Sequence, residues 1–171
     1  MTTSEVSARI QNVLDRQDIH DALMRYCRGV DRCDEELMRS AYHPDAVAFA
    51  TSAWDFVKHF IPDNKAATTF TMHSIANLDI DVVGDKAYSE AYFVTYVGRR
   101  EGDTEYVDAF CGRYVDRWER RDDEWKIIHR EVAREWSRAN AFGIDTFPVP
   151  PSEKDTFMTP QRDRSDISFQ R

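Results

Sequence analysis

Asp31 closes the amphipathic stretch RYCRGVD, and His73 stands at the start of the apolar stretch MHSIANLDI. Brought together, a carboxylate and an imidazole form a general base that works near neutral pH. The carboxylate fixes the ring tautomer and stabilises the charged ring. An acidic residue at the end of a helix faces the negative pole of the macrodipole, a small misfit that an imidazolium or a substrate nearby would relieve. Each residue also has a plainer reading. Asp31 could cap the next element, and His73 could be a core histidine bonded to a backbone carbonyl. The other histidines are weaker candidates: His20 lies off the apolar stripe of its helix, His43 precedes Pro44 in a turn, His59 sits in an ambiguous segment, and His129 alternates with Trp125 and Ile127.

Tyr26 precedes Asp31 on the same helix. Its hydroxyl can donate to a leaving oxygen or be a bonded core hydroxyl. Arg130 and Arg134 alternate in phase with Ile128, Val132 and Trp136. Four residues of strand span roughly 13 Å, so the two arginines cannot hold the same small group. One is expected at a pocket and the other in a rim ion pair; rim pairs with Asp116 or Glu119 for both are the structural alternative. The aromatics Tyr42, Phe49, Trp54, Phe110 and Trp136, with Phe93, Tyr96 and Tyr114, suit a core. Several of them lining one pocket would favour an apolar, ring-containing ligand. No HxH, HExxH or CxxC spacing, no glycine-rich phosphate loop and no GxSxG elbow occurs, so neither a metal nor a cofactor is expected.

The elements that must position these residues follow from periodicity. Residues 4–15 read as a helix capped by Ser4, and Asp15 to Asp18 as the start of a second helix with its apolar stripe at Ile19, Leu23, Tyr26 and Val30. DEELMRSAY reads as a third helix, HPDA as a turn and AVAFAT as a strand; WDFVKHF looks helical and IPDNK looks like a break. From residue 70 the period becomes two. Four strands, TFTMHSIANLDIDV, KAYSEAYFVTYVGR, TEYVDAFCGRYVDRWERR and EWKIIHREVAREWSR, are joined by hairpin-length turns GD, REGD and RDD. Helices followed by an antiparallel meander give an α+β fold. One domain is expected over 1–136, followed by an irregular tail over 137–171 that carries Pro148, Pro150, Pro151 and Pro160.

Composition bounds the function classes. The chain has 171 residues, 42% apolar and 12% aromatic, enough for one real core. Its formal charge of −8 disfavours nucleic acid. No apolar run approaches the roughly 20 residues that span a bilayer. Cys27, Cys33 and Cys111 are an odd set without metal spacing, read as reduced thiols in a cytoplasm.

DRQDIHDALMRYCRGVDRCDEELMRSAYHPDAV and YVDRWERRDDEWKIIHREVAREW resemble the SnoaL-like, polyketide-cyclase-like branch of the nuclear transport factor 2-like superfamily. The resemblance covers about residues 15–136. It implies a cone, in which a curved antiparallel sheet wraps around helices and encloses one deep pocket. Three lyases of the superfamily look closest in site pattern: scytalone dehydratase, bile-acid dehydratase and hexachlorocyclohexane dehydrochlorinase. They are understood to pair a helix aspartate with a strand histidine, and the matching positions are Asp31 and His73. The bile-acid enzyme's tyrosine matches Tyr26 and its arginine matches Arg134. The dehydrochlorinase's arginine matches Arg130, but it has a lysine where Tyr26 stands, which counts against halide elimination. The resemblance thus implies a cofactor-independent, dehydratase-type lyase acting on a small cyclic oxygenated molecule. In that reading His73 is the base, Asp31 its partner, Tyr26 the donor, and Arg130 or Arg134 the anion-stabilising group. An isomerase or cyclase using the same dyad, and a binding protein with an inert dyad, are the alternatives. Relatives commonly form dimers or trimers, so a homodimer or homotrimer is expected.

Overall fold

The computed structural model describes residues 2–142 and 162–165. Helix α1 runs unbroken over Thr3–Asp31. Its start is a capping box: the Thr2 hydroxyl accepts from the Glu5 amide at 3.2 Å, and the Glu5 carboxylate accepts from the Thr2 amide at 2.6 Å. The expected break at Asp15 is corrected. Asp15 is buried and accepts from the Trp125 indole at 3.0 Å and from Arg120 at 2.8 Å. A residue that reads locally as a helix start is instead an anchor to the sheet. Exposed Val6, Ile10, Val13 and Leu14 form an apolar stripe on the first half of α1; Ile19, Ala22, Leu23, Tyr26 and Val30 are buried on the second.

Helix α2 (Glu35–Arg39) starts at Asp34, whose side chain accepts from the Leu37 amide at 2.9 Å. The turn from α1 is tight. A Cβ on Gly29 would sit 2.4 Å from the Met38 nitrogen, so only glycine lets α2 fold back against α1 there. That close approach places the end of α1, and with it Asp31.

Strand β1 (Tyr42–Ala48) and the short β2 (Thr51–Ser52) precede helix α3 (Ala53–Ala67). HPDA is therefore not a turn: it lies in β1, where the pairing register shifts between Tyr42 and Val47, a place that tolerates the missing donor of Pro44. IPDNK does not break α3 either. Pro62 lies inside the helix, and both Pro62 and Lys58, whose carbonyl loses its partner, are exposed to water.

The four long strands are present as β3 (Phe70–Val83), β4 (Lys86–Glu101), β5 (Thr104–Arg121) and β6 (Glu124–Phe142). Two-residue loops join them, and Asp122 and Asp123 both take positive φ, as a hairpin turn of matching twist requires. The sheet order is β2-β1-β6-β5-β4-β3. The meander β3 to β6 is antiparallel, but β1 lies parallel to β6, so the sheet is mixed and open rather than wholly antiparallel. Helices against this sheet give the expected cone-like α+β fold. Trp118, Trp125 and Ile127 pack with Ile19, Leu23 and Met38 in its core.

Residues 137–142 continue β6 instead of beginning a tail. Pro148, Pro150, Pro151 and Pro160 lie outside the described residues. Farther on, Arg162 donates to the Thr68 carbonyl and hydroxyl at 2.6 Å, and Arg164 meets Asp34 at 3.0 Å. Among the described residues, no helix is long and apolar enough to cross a membrane.

Candidate active site

Asp31, the last residue of α1, meets His73 near the start of β3. Its Oδ1 lies 2.6 Å from His73 Nδ1, and its Oδ2 accepts the His73 backbone N–H at 3.0 Å. A carboxylate can only accept, so Nδ1 carries a hydrogen, and in the neutral ring the lone pair is on Nε2. The bond to Nδ1 holds the ring against rotation, the bond from the backbone N–H fixes the carboxylate, and both offset the poor position of an acid at a helix C-terminus. The side chains of His73 and Asp31 are 8% and 15% exposed, which leaves little water to compete for either.

The ring lines a cavity of about 270 Å³ between the helices and the inner face of the sheet. Tyr26 and Val30 of α1 and Phe56, Phe60 and Asn64 of α3 form one side. Phe93, Phe110 and Tyr114 form the sheet side, with Phe93 stacked on Tyr114 at 4.1 Å. Gly112 makes this possible, because a Cβ there would come within 2.9 Å of the Phe93 ring. Phe49, about half exposed, lines the cavity where it reaches the surface. The wall is mostly aromatic, which suits a ring-shaped apolar body.

Of the residues read from sequence, the structure brings Asp31, His73, Tyr26, Phe49 and Phe110 to this place. It moves five others away. Arg130 is fully buried and gives both Nε and Nη2 to Asp116 at 2.7 Å. Its guanidinium carbon lies 4.1 Å from the ring centres of both Tyr26 and Tyr114. It therefore backs the cavity wall without lining the cavity. Tyr42 is a buried core residue set edge-on to Tyr26 at 5.9 Å. Arg134 and Trp136 are exposed, and Trp54 stacks under Arg39 at its surface position. The expected shared face of Ile128, Arg130, Val132, Arg134 and Trp136 holds only from Arg130 to Arg134, because two of the three register shifts of β6 against β5 fall at either end of that run, between Ile127 and His129 and between Arg134 and Trp136. Ile127 and Arg130 both pair with inward residues, Trp118 and Asp116, while Trp136 pairs with Cys111 and turns outward.

Burial pushes the Tyr26 hydroxyl above its usual pKa, and the nearby Arg130 charge only partly reverses this. Burial, with a smaller push from the neighbouring Tyr26, holds Tyr42 and Tyr114 well above it despite the Arg130 charge. Tyr26 is thus a neutral hydrogen-bond donor across the physiological range. Burial opposes charge on Arg130 as well, but Asp116 outweighs it and keeps the guanidinium protonated. Cys27 is pushed by burial from 9.0 up to about 12. A raised acid pKa means that the folded chain holds its proton when the unfolded chain has lost it. Stability is then complete below about pH 9 and falls as pH rises towards 12. The melting temperature followed by circular dichroism is expected to fall steadily above pH 9, with Cys27→Ala flattening the early part of the fall. An unchanged melting temperature from pH 8 to 11 would contradict the burial of these groups.

Phe56, Phe60, Asn64, Thr71 and Thr95 were not among the sequence candidates. Phe56, Phe60 and Asn64 follow an i, i+4, i+8 stripe, a signal hidden by treating IPDNK as a break. Thr71 stands two residues before His73 on the same strand face, and Thr95 pairs directly opposite His73. Among the described residues, no group of three His, Cys, Asp or Glu side chains comes together to hold a metal.

No match is found among curated proteins. Solved structures share the fold. A putative scytalone dehydratase from Novosphingobium aromaticivorans has a TM-score of 0.65 and 19% identity, covering 80% of this chain and 97% of that one. A hexachlorocyclohexane dehydrochlorinase from Novosphingobium barchaimii has a TM-score of 0.65 and 21% identity, covering 84% and 99%. A nuclear transport factor 2-like superfamily protein from Salmonella enterica has a TM-score of 0.62 and 17% identity, covering 80% and 99%. At these identities the likeness is one of fold. The SnoaL-like domain family matches residues 11–131; with a helix-to-strand cone around one aromatic cavity, the chain belongs to the SnoaL-like family.

Proposed function

We propose that this SnoaL-like protein is a cofactor-independent lyase that eliminates water from a small cyclic oxygenated substrate. The observation that carries the reading is the His73 ring, locked by Asp31 at the wall of an aromatic cavity. His73 Nε2 takes a proton from a carbon beside a carbonyl, and the C–H electron pair becomes a C=C bond. The adjacent C–O bond breaks, and its oxygen leaves with that electron pair. The imidazolium, stabilised by Asp31, returns the proton to the departing hydroxide, which leaves as water and restores the base. Tyr26 donates a hydrogen bond to the developing oxyanion. Arg130, fixed behind the Tyr26 ring, keeps positive charge near this side of the cavity without touching substrate.

Support from relatives is coarse: two of the three solved structures named above carry elimination enzymes' names, while the fold alone specifies no reaction. A panel of cyclic hydroxy ketones, incubated with the protein and followed by mass spectrometry, tests the reading. The expected result is a product lighter by the elements of water with the wild type and not with His73→Ala. A product of unchanged mass would assign the dyad to isomerisation instead. No conversion of any member, or equal conversion by His73→Ala, would defeat the base assignment.

A further inference from the structure

Besides His73 and the hydroxyls of Tyr26 and Tyr114, the cavity wall carries three polar side chains, Thr71, Thr95 and Asn64. Thr71 and Thr95 are 6% and 5% exposed, both line the cavity, and among the described residues neither hydroxyl has a hydrogen-bond partner. The buried Asn64 Nδ2, on the opposing helix, is also unpartnered. The Asn64 Oδ1 faces the Thr68 hydroxyl at 3.4 Å, which leaves the amide nitrogen as a donor. Thr95 is the direct cross-strand neighbour of His73, which sets their Cβ atoms roughly 5 Å apart. Thr71 is one strand repeat away, roughly 7 Å along β3. A buried polar group without a partner is costly, and these three line the same cavity as the ring of the proposed base.

We propose that Thr71, Thr95 and Asn64 form an oxygen-binding subsite that selects an uncharged ring bearing at least two hydrogen-bonding oxygens, a cyclic hydroxy ketone. A hydrocarbon or halogenated ring would leave all three groups unpaired. An anionic ring finds no lysine or arginine among the described lining residues; Arg130, whose Nε and Nη2 go to Asp116, lies behind the wall. The assignment rests on the cavity being the substrate site and adds what that site recognises.

Affinities for 4-hydroxy-1-tetralone and for tetralin, measured by NMR titration, test it. The wild type is expected to bind the hydroxy ketone more tightly. The isosteric double variant Thr71→Val/Thr95→Val is expected to lose roughly tenfold or more for the hydroxy ketone, while its tetralin affinity holds or rises. Without ligand, the double variant is expected to melt no lower than the wild type, because no hydrogen bond among the described residues is lost. His73→Ala is expected to keep the preference, so failure of the base leaves this result standing. A wild type that binds the hydroxy ketone no better than tetralin, or binds neither, overturns the subsite. So does a double variant with undiminished preference, or one whose ligand-free melting temperature drops by several degrees.

Discussion

His73→Ala is expected to lower turnover by roughly 10²–10⁴-fold, the range a positioned general base supplies, with KM for the same substrate little changed. The argument is geometric. Nε2 is the one ring nitrogen not engaged by Asp31, and it belongs to a ring on the cavity wall. Asp31→Asn should cost nearly as much without loss of fold. An amide presents a nitrogen as well as an oxygen, so it no longer enforces the tautomer and cannot balance an imidazolium. Steady-state kinetics on the substrate identified by screening gives both numbers. Equal kcat in wild type and His73→Ala would remove the histidine from the chemistry.

Asp116→Ala is expected to destabilise the fold by about 3–5 kcal/mol, the cost of stranding a buried charge. Both side chains of the Arg130–Asp116 pair are fully inaccessible. A native domain has only about 5–15 kcal/mol in total, so the variant should be partly unfolded at physiological temperature. The pair itself is a poor source of net stability, because desolvating both ions offsets their attraction. Arg130→Met/Asp116→Leu should therefore recover most of the loss in urea unfolding. Its activity should fall all the same, since Tyr26 then loses the cation 4.1 Å behind its ring. Single and double variants that all unfold within 1 kcal/mol of wild type (about the net value of an exposed pair) would show that this ion pair is not buried as described.

The Arg130 result illustrates where sequence reading stops. Alternation along β6 puts Arg130, Val132, Arg134 and Trp136 on one face; the pairing register keeps the first three in phase and turns Trp136 to the other. A register shift depends on the partner strand, which no local pattern contains. The four hairpin strands were legible because both their alternation and their turn residues are local. The long helix was not, because Asp15 looks like a cap until Trp125 and Arg120, more than 100 residues away, are brought to it. The Asp31–His73 pair was readable from the family resemblance and from an acid placed against the helix dipole. Thr71 and Thr95 were not, since a threonine on a strand is unremarkable until the fold leaves its hydroxyl buried and unpartnered.

The most direct measurement of the dyad's role needs no leaving group. In D₂O, wild-type protein should accelerate deuterium uptake at the carbon beside the carbonyl of 1-tetralone, followed by proton NMR, and His73→Ala and Asp31→Asn should return the rate to that of buffer. Uptake by His73→Ala as fast as by wild type, or no acceleration by either, would contradict a base at His73.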